Sequence, residues 1–348
     1  MSQAAYQPVY QLSRGGHPES LHYGAFAVVS LNGDLFASWG DAQLSTFLRS
    51  TAKPFQALPF VLAGGVEHFG LTEKELALIC SSHSGTDEHV SVFKSLQKKA
   101  GITEAQLLCG VHPPFHRATA ERMQAKGKLP SPSRHNCSGK HSGMLAFARL
   151  RGWSLENYID PNHPLQQEIF ALFAELAGLS QQALAIGIDG CSAPNWAAPL
   201  YNVALAYARL MDPSDLPAAE AAACIKVRDA MVTNPNIVGG PERFDTDLMR
   251  VAAGRILSKG GAEGYQGIGL QAGALGDGSP ATGIALKISD GDARAWACQS
   301  VSLEVLRQLG ALSADELAQL KQHGPLRTVT NWRGLEVGRA EPVFDLGM

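Results

Sequence analysis

The chain has 348 residues, 45% of them hydrophobic and 18% charged, which is ordinary globular composition with enough apolar material for a sizeable core. A formal net charge of -3 and a pI near 6.4 leave no basic footprint for nucleic acid or an anionic membrane, so a small molecule is the expected partner. Met1–Gly16 lacks a charged segment followed by an apolar one. The uncharged run Gly190–Ala208 holds two prolines and two asparagines, too broken for a membrane span. The expected compartment is therefore the cytoplasm. No repeat, low-complexity tract or long linker divides the sequence, so residues 1–348 read as one compact unit.

In chain order, the first strand signal is the apolar, β-branched run Ala25–Ser30. Asn32-Gly33 supplies the positive-φ pair of a tight hairpin, and Leu35–Trp39 runs back. The middle of the chain reads as helix. Thr72-Glu73-Lys74-Glu75 has capping-box spacing ahead of Leu76, Leu78 and Ile79. Leu165, Ile169, Leu172 and Leu176 share a helical face that Gly178 ends, and Leu200, Val203, Tyr207 and Leu210 repeat the pattern. Tyr265–Leu270 and Thr282–Ile288 are apolar runs bounded by glycines, and Asp290-Gly291 marks a turn. A helix over about 293–309 and a final strand within 334–344 complete the series. Strands at both ends around a helical middle predict an α+β fold: a mostly antiparallel sheet built from both chain ends and covered by helices.

The polar segments carry the chemistry. In Arg49-Ser50-Thr51-Ala52-Lys53-Pro54, a helix beginning at Ser50 would bring Lys53 one turn on, within reach of the hydroxyl. A serine needs a base before it attacks, and a lysine serves as base only where burial or a neighbouring cation lowers its pKa. The apolar residues Phe55, Leu58, Phe60, Val61 and Leu62 suggest that burial. Ser258-Lys259-Gly260-Gly261 reads as a glycine-rich loop with a second lysine. Cys80-Ser81-Ser82-His83-Ser84-Gly85 reads as a polar loop in which neighbouring Ser82 and His83 point apart, ahead of a helix near Asp87.

Six cysteines are spread without a disulfide framework. Cys224 and Cys298 lie in apolar stretches and read as core. Cys137, in His135-Asn136-Cys137-Ser138-Gly139-Lys140-His141, and Cys191, in Asp189-Gly190-Cys191-Ser192, lie in polar, glycine-bearing loops. Two thiolates plus nitrogen suit zinc, and on chemistry alone His141 or His135 is the nitrogen ligand. Val111-His112-Pro113-Pro114-Phe115-His116 is rigid enough for a pocket wall, and Asn234–Gly240 for a substrate-side loop, although both have plain turn composition.

Taken together and in order, these segments resemble the asparaginase II family, the rhizobial inducible thermolabile type. The match is carried by Phe47–Gln56, Ser82–Gly85, His135–Gly143, Asp189–Cys191 and Lys259–Gly264. The resemblance implies a fold like that of the serine β-lactamases, penicillin-binding proteins and glutaminases. It implies two Ser-Lys tandems, Ser50 with Lys53 and Ser82 with Lys259, hydrolysing L-asparagine to L-aspartate and ammonia. Ser50 is the expected nucleophile, with the reverse assignment to Ser82 open. A zinc ion held by Cys137, Lys140, Cys191 and water is implied in place of a histidine-ligated one. Asp189 would orient that water or the substrate, and Arg49 and His141 would stand on the substrate side. A homodimer is likewise implied. A glutaminase, a β-lactam hydrolase of the same fold and a non-catalytic zinc-dependent binding protein are the competing readings.

Overall fold

The computed structural model describes residues 5–347, so the leader reading over Met1–Gly16 lies partly outside the described residues. By internal contacts the chain divides into two compact units. One comprises the chain up to Thr51, Ala198–Asp212 and the chain from Val251 on; the other comprises Ala52–Ala197 and Pro213–Arg250. The chain first passes from one to the other between Thr51 and Ala52, inside the Ser50–Lys53 segment.

The first unit is built on an eight-stranded antiparallel sheet: β1 (Gln7–Arg14), β2 (His17–Ser30), β3 (Leu35–Trp39), β4 (Ile256–Gly261), β5 (Tyr265–Leu270), β6 (Thr282–Ile288), β7 (Arg327–Thr330) and β8 (Glu336–Pro342). Its order is β7-β8-β1-β2-β6-β5-β4, with β3 paired to β2. The antiparallel sheet drawn from both chain ends is thus the observed one. Asn32-Gly33 makes the expected hairpin: Gly33 has φ 86° and its N–H donates to Ser30 O at 3.0 Å. β5 and β6 are buried on both faces, which accounts for their continuous apolar sequence. The helix Leu200–Met211 packs on β2, β5 and β6.

Two expectations are corrected here. The late helix is Ala297–Gln308, shorter than 293–309, because Asp292 receives the N–H groups of Trp296 (3.2 Å) and Cys298 (2.7 Å) and so delays its start. The stretch around Lys259 is no loop. It is β4, the edge strand of the sheet, whose Ser258 pairs with Ile268 of β5.

The second unit is mostly helical, and the helices around the site are α1 (Lys53–Leu62), α2 (Glu73–Ile79), α3 (Asp87–Ala100), α4 (Ser138–Arg151), α5 (Pro164–Leu176) and α6 (Ala218–Thr233). The capping box at Thr72 and Glu75 opens α2 as expected, and Thr86 opens α3 with His89 in the third position. Lys53 through Val61 are all buried, so α1 is enclosed on every side by α4, α5 and α6. A β-hairpin pairs Ala185–Ile188 with residues 194–197 and carries Asp189–Ser192 at its turn. α4 approaches α2 closely because Gly139 and Gly143 have no side chain. A Cβ on Gly139 would lie 2.0 Å from Leu78 O, and one on Gly143 2.5 Å from an Ile79 methyl carbon. Among the described residues all six cysteines are buried and none is disulfide-bonded, Cys224 and Cys298 included. No helix of the described residues is long and apolar enough to cross a membrane.

Candidate active site

In the second unit two short segments converge on the Lys53 amine. Lys53 opens α1, with Pro54 at the next position, and is 1% exposed. Its Nζ donates to Ser81 O at 2.6 Å, Ser82 Oγ at 2.9 Å and Asn136 O at 3.2 Å. Three acceptors match the three protons of an ammonium. Two are fixed carbonyls, and the third is a hydroxyl at the distance at which a proton is exchanged.

Ser82 is held through its backbone. Its N–H donates to Val238 O at 3.0 Å, and the Ser84 N–H donates to Gly239 O at 2.9 Å. The 234–240 segment therefore supports the serine loop. Ser82 and His83 do point apart: Ser82 turns to Lys53, while His83 Nε2 meets Ser138 Oγ at 2.8 Å. His112 receives the Asn136 N–H on Nε2 at 3.0 Å and stacks on Phe115, with ring centroids 4.5 Å apart.

A second cluster lies where α4 begins. Cys137 is the residue before the helix, Lys140 and His141 stand on its first turn, and Cys191 comes from the hairpin turn. Lys140 Nζ donates to Cys191 Sγ at 2.8 Å, and Cys191 Sγ lies 3.5 Å from Asp189 Oδ2. The two thiols are hydrogen-bonded to one another. The hydrogen bond from Cys191 holds Cys137 well below the usual thiol range against its burial, with the Lys53 and Lys140 charges assisting. The same bond, together with burial, pushes Cys191 up. Burial works against the charge on Lys140, but the two sulfurs and Asp189 outweigh it and raise its pKa. Cys109 lies near enough to feel both sulfurs, and burial is the main cause that pushes its thiol up to about 12.

His141 Nδ1 meets Tyr158 OH at 2.6 Å, and that hydroxyl also receives the Leu108 N–H at 2.8 Å. Its buried Nε2 is close enough to Cys191 to interact with the sulfur but finds no well-formed hydrogen bond. Lys53 and Lys140 line one small cavity of about 10 Å³, room for a single water.

The other sequence-predicted residues belong to the first unit. Ser50 lies in the 3-10 turn Arg49–Ala52 and is half-buried. It does not start the helix, because Ala52 is the residue preceding α1. Arg49 takes a left-handed φ of 54°, and its guanidinium reaches Glu263 at 3.8 Å. Lys259 is fully buried on β4, with Nζ donating to Gly260 O at 2.7 Å.

Sequence reading missed the partners that act through their backbone, namely the Ser81, Asn136, Val238 and Gly239 carbonyls. It also missed Ser138 and Tyr158. The only available signal was position: each lies within or beside a flagged polar segment, apart from Tyr158.

Among solved structures, the chain resembles a crystal structure of Mglu in its tris and glutamate form, at 13% identity and a TM-score of 0.41 over 84% of this chain and 60% of that chain. The chain thus spans about three fifths of the length of that protein. It resembles the Bacillus subtilis glutaminase YbgJ, solved as a covalent complex with 5-oxo-L-norleucine, at 10% identity and a TM-score of 0.40 over 84% of this chain and 89% of that one. No curated protein matches by sequence. The profile of L-asparaginase II matches residues 10–342, nearly the whole chain, with every motif segment inside it. On that match, the chain belongs to the L-asparaginase II family.

Proposed function

We propose that this chain is an amidohydrolase that converts L-asparagine to L-aspartate and ammonia through a lysine-activated serine. The supporting observation is the buried Lys53 amine, held 2.9 Å from the Ser82 hydroxyl by two backbone carbonyls. In this reading Ser50 attacks the side-chain amide carbon and Lys53, three residues on, takes its proton. That proton passes to the departing nitrogen, ammonia leaves, and water releases aspartate from the acyl-enzyme. Ser82 and Lys259 relay protons and stabilise charge, while Arg49 faces a substrate carboxylate. A second assignment, with Ser82 as the nucleophile, is favoured by the contact itself, because Ser82 is the hydroxyl that Lys53 touches.

The second cluster gathers donors that a zinc ion could use. Among the described residues no group of three or more His, Cys, Asp or Glu side chains could hold a metal, so zinc here would require a lysine to join two cysteines. Cys137, Cys191 and Lys140 are gathered in that way, with a buried imidazole nitrogen lacking a well-formed partner beside them. We propose that these three residues hold zinc once Lys140 has shed its proton, with water as a fourth ligand. Zinc there would anchor the amino-acid end of the substrate or polarise a bound water. Asp189, against Cys191, and His141 would orient that water or substrate. We also propose a homodimer, read by sedimentation.

Ammonia release from asparagine, glutamine and a chromogenic β-lactam tests the substrate. One methylene separates the two amino acids, worth roughly 1–3 kcal/mol of discrimination in a fitted pocket. Labelling with a diazoketone analogue of asparagine, followed by peptide mapping, identifies the attacking serine. Ser50→Ala should lower turnover on the order of 10³-fold or more with the fold intact. Near-normal turnover in that variant together with a label on Ser82 would reverse the assignment.

A further inference from the structure

The three acceptors around Lys53 come from two separate stretches of chain, 81–82 and 136. Nothing in the covalent chain keeps these stretches together. The His83 side chain links them: it follows Ser82 directly, and its Nε2 lies 2.8 Å from the hydroxyl of Ser138, two residues beyond Asn136. The direction of the link is set, because the Gly85 N–H donates to His83 Nδ1 at 3.2 Å. That leaves the proton of a neutral ring on Nε2, where it donates to Ser138 Oγ. Ser138 Oγ in turn donates a hydrogen bond to Ser133 O at 3.4 Å.

The ring has no freedom to swing. It is fully buried and lies nearly flat on His89, with centroids 4.9 Å apart and planes 18° apart. His89 is itself fixed, its Nδ1 receiving the Thr86 N–H at 3.1 Å and its Nε2 meeting Asn236 O at 2.9 Å. The positive or protonatable groups around His83 are Lys53, His89, His112 and His135. Burial above all, and then these groups, disfavour a charged ring.

We propose that His83 is a positioning residue: a neutral cross-brace that keeps the Ser81–Ser82 and Asn136 acceptors at one spacing around the Lys53 amine. It touches no reacting atom. Its effect on turnover runs through the Lys53–Ser82 contact and so rests on the function proposed above.

The side chain can be dissected atom by atom. In His83→Gln the amide nitrogen can reach Ser138 as Nε2 does, while His83→Asn can accept the Gly85 N–H and falls short of Ser138. Active sites are counted with the diazoketone label, so kcat is expressed per competent site. The expected result is a kcat lowered about 30- to 300-fold in His83→Asn, with KM for asparagine changed less than about threefold. The acid limb of the kcat–pH profile should also be displaced, because the acceptors around Lys53 have moved. His83→Gln should recover most of the lost rate and the wild-type limb. Unchanged kcat per site and an unmoved limb in His83→Asn would overturn the proposal, showing that the ring only supports folding. If His83→Asn does not fold, Ser138→Ala removes the brace from its other end and is read in the same way.

Should the wild-type chain release no ammonia from any amide, the proposed function fails while the brace can still be examined. Nitrogen-15 spectra of the imidazoles should show His83 neutral, with its proton on Nε2, from pH 5 to 8. A ring protonated on Nδ1, or a charged one in that range, would overturn the brace on its own.

Discussion

The eight-stranded sheet and the surroundings of Lys53 solve the same problem in opposite ways. In the sheet, backbone N–H and C=O groups satisfy one another along regular ladders, so side chains are left to pack. Around Lys53 the backbone is irregular, and imidazoles do the work of a ladder. Ring nitrogens of His83, His89, His112 and His135 accept N–H groups of Gly85, Thr86, Asn136 and Cys137. A trimmed sheet residue loses apolar contact, whereas a removed imidazole leaves a buried N–H unpaired at about 1–3 kcal/mol. Tolerance to substitution should therefore be low in the loops and higher in the sheet.

The largest effect is expected at Lys53. Lys53→Met keeps the length and burial of the side chain but removes the base and the donor to three acceptors. Turnover should fall on the order of 10³-fold or more. A steady-state ammonia assay checks this, and a loss of only a few-fold would leave the loop cluster a merely structural device.

Acid should reach the loops before the sheet. His89 is buried, and desolvation lowers its pKa from 6.5 to about 4. Between those values the unfolded chain binds the proton that the folded chain refuses, so stability rises with pH across that window. It is complete above pH 6.5 and falls as pH drops towards 4, by about 3 kcal/mol for this residue. Urea unfolding at pH 7 and pH 4.5 should show the loss, and His89→Gln should reduce it by that share, the remainder coming from the depressed His83, His135 and His141. An equal acid loss in that variant would place the sensitivity elsewhere.

Smaller effects separate packing from chemistry. Gly139→Ala forces a methyl group against Leu78 O and should cost about 1–3 kcal/mol, lowering both the urea midpoint and turnover because both clusters move. Ile284→Val on β6 should cost about 0.5–1.5 kcal/mol and leave turnover per folded molecule as it was. Activity lost in proportion in both variants would erase the distinction between the regions.

What the sequence showed, and what it hid, follows the same division. The Asn32-Gly33 hairpin, the Thr72 capping box and the apolar strands β5 and β6 were legible because local residue types decide them. β1 was not. Its half-exposed sequence gains strand structure from β8, more than three hundred residues away. β4 was hidden by its glycines, which carry no alternating pattern even though the strand is paired along its whole length. In the candidate site, Cys137 and Cys191 stood out by chemical type and Lys53 by its spacing from Ser50, whereas Ser82 and Lys140 took their roles only from the family resemblance. The groups that aim Lys53 are mostly carbonyl oxygens, which every residue has, and no residue code points to them.

The tight seating of Gly139 and Gly143 against the end of α2 has a consequence for transplanting this site. Ser81 and Ser82 leave the end of α2, and Cys137 to His141 begin α4, so one interhelical gap fixes the separation of the two groups. Two letters of the segment His135–Gly143 are thus mechanical: they set a tolerance and react with nothing. A designer who grafts only the reactive residues onto another scaffold will reproduce the inventory and lose the alignment. The smallest portable unit is α1, α2, α4 and the 185–197 hairpin, with the α2–α4 gap kept closed.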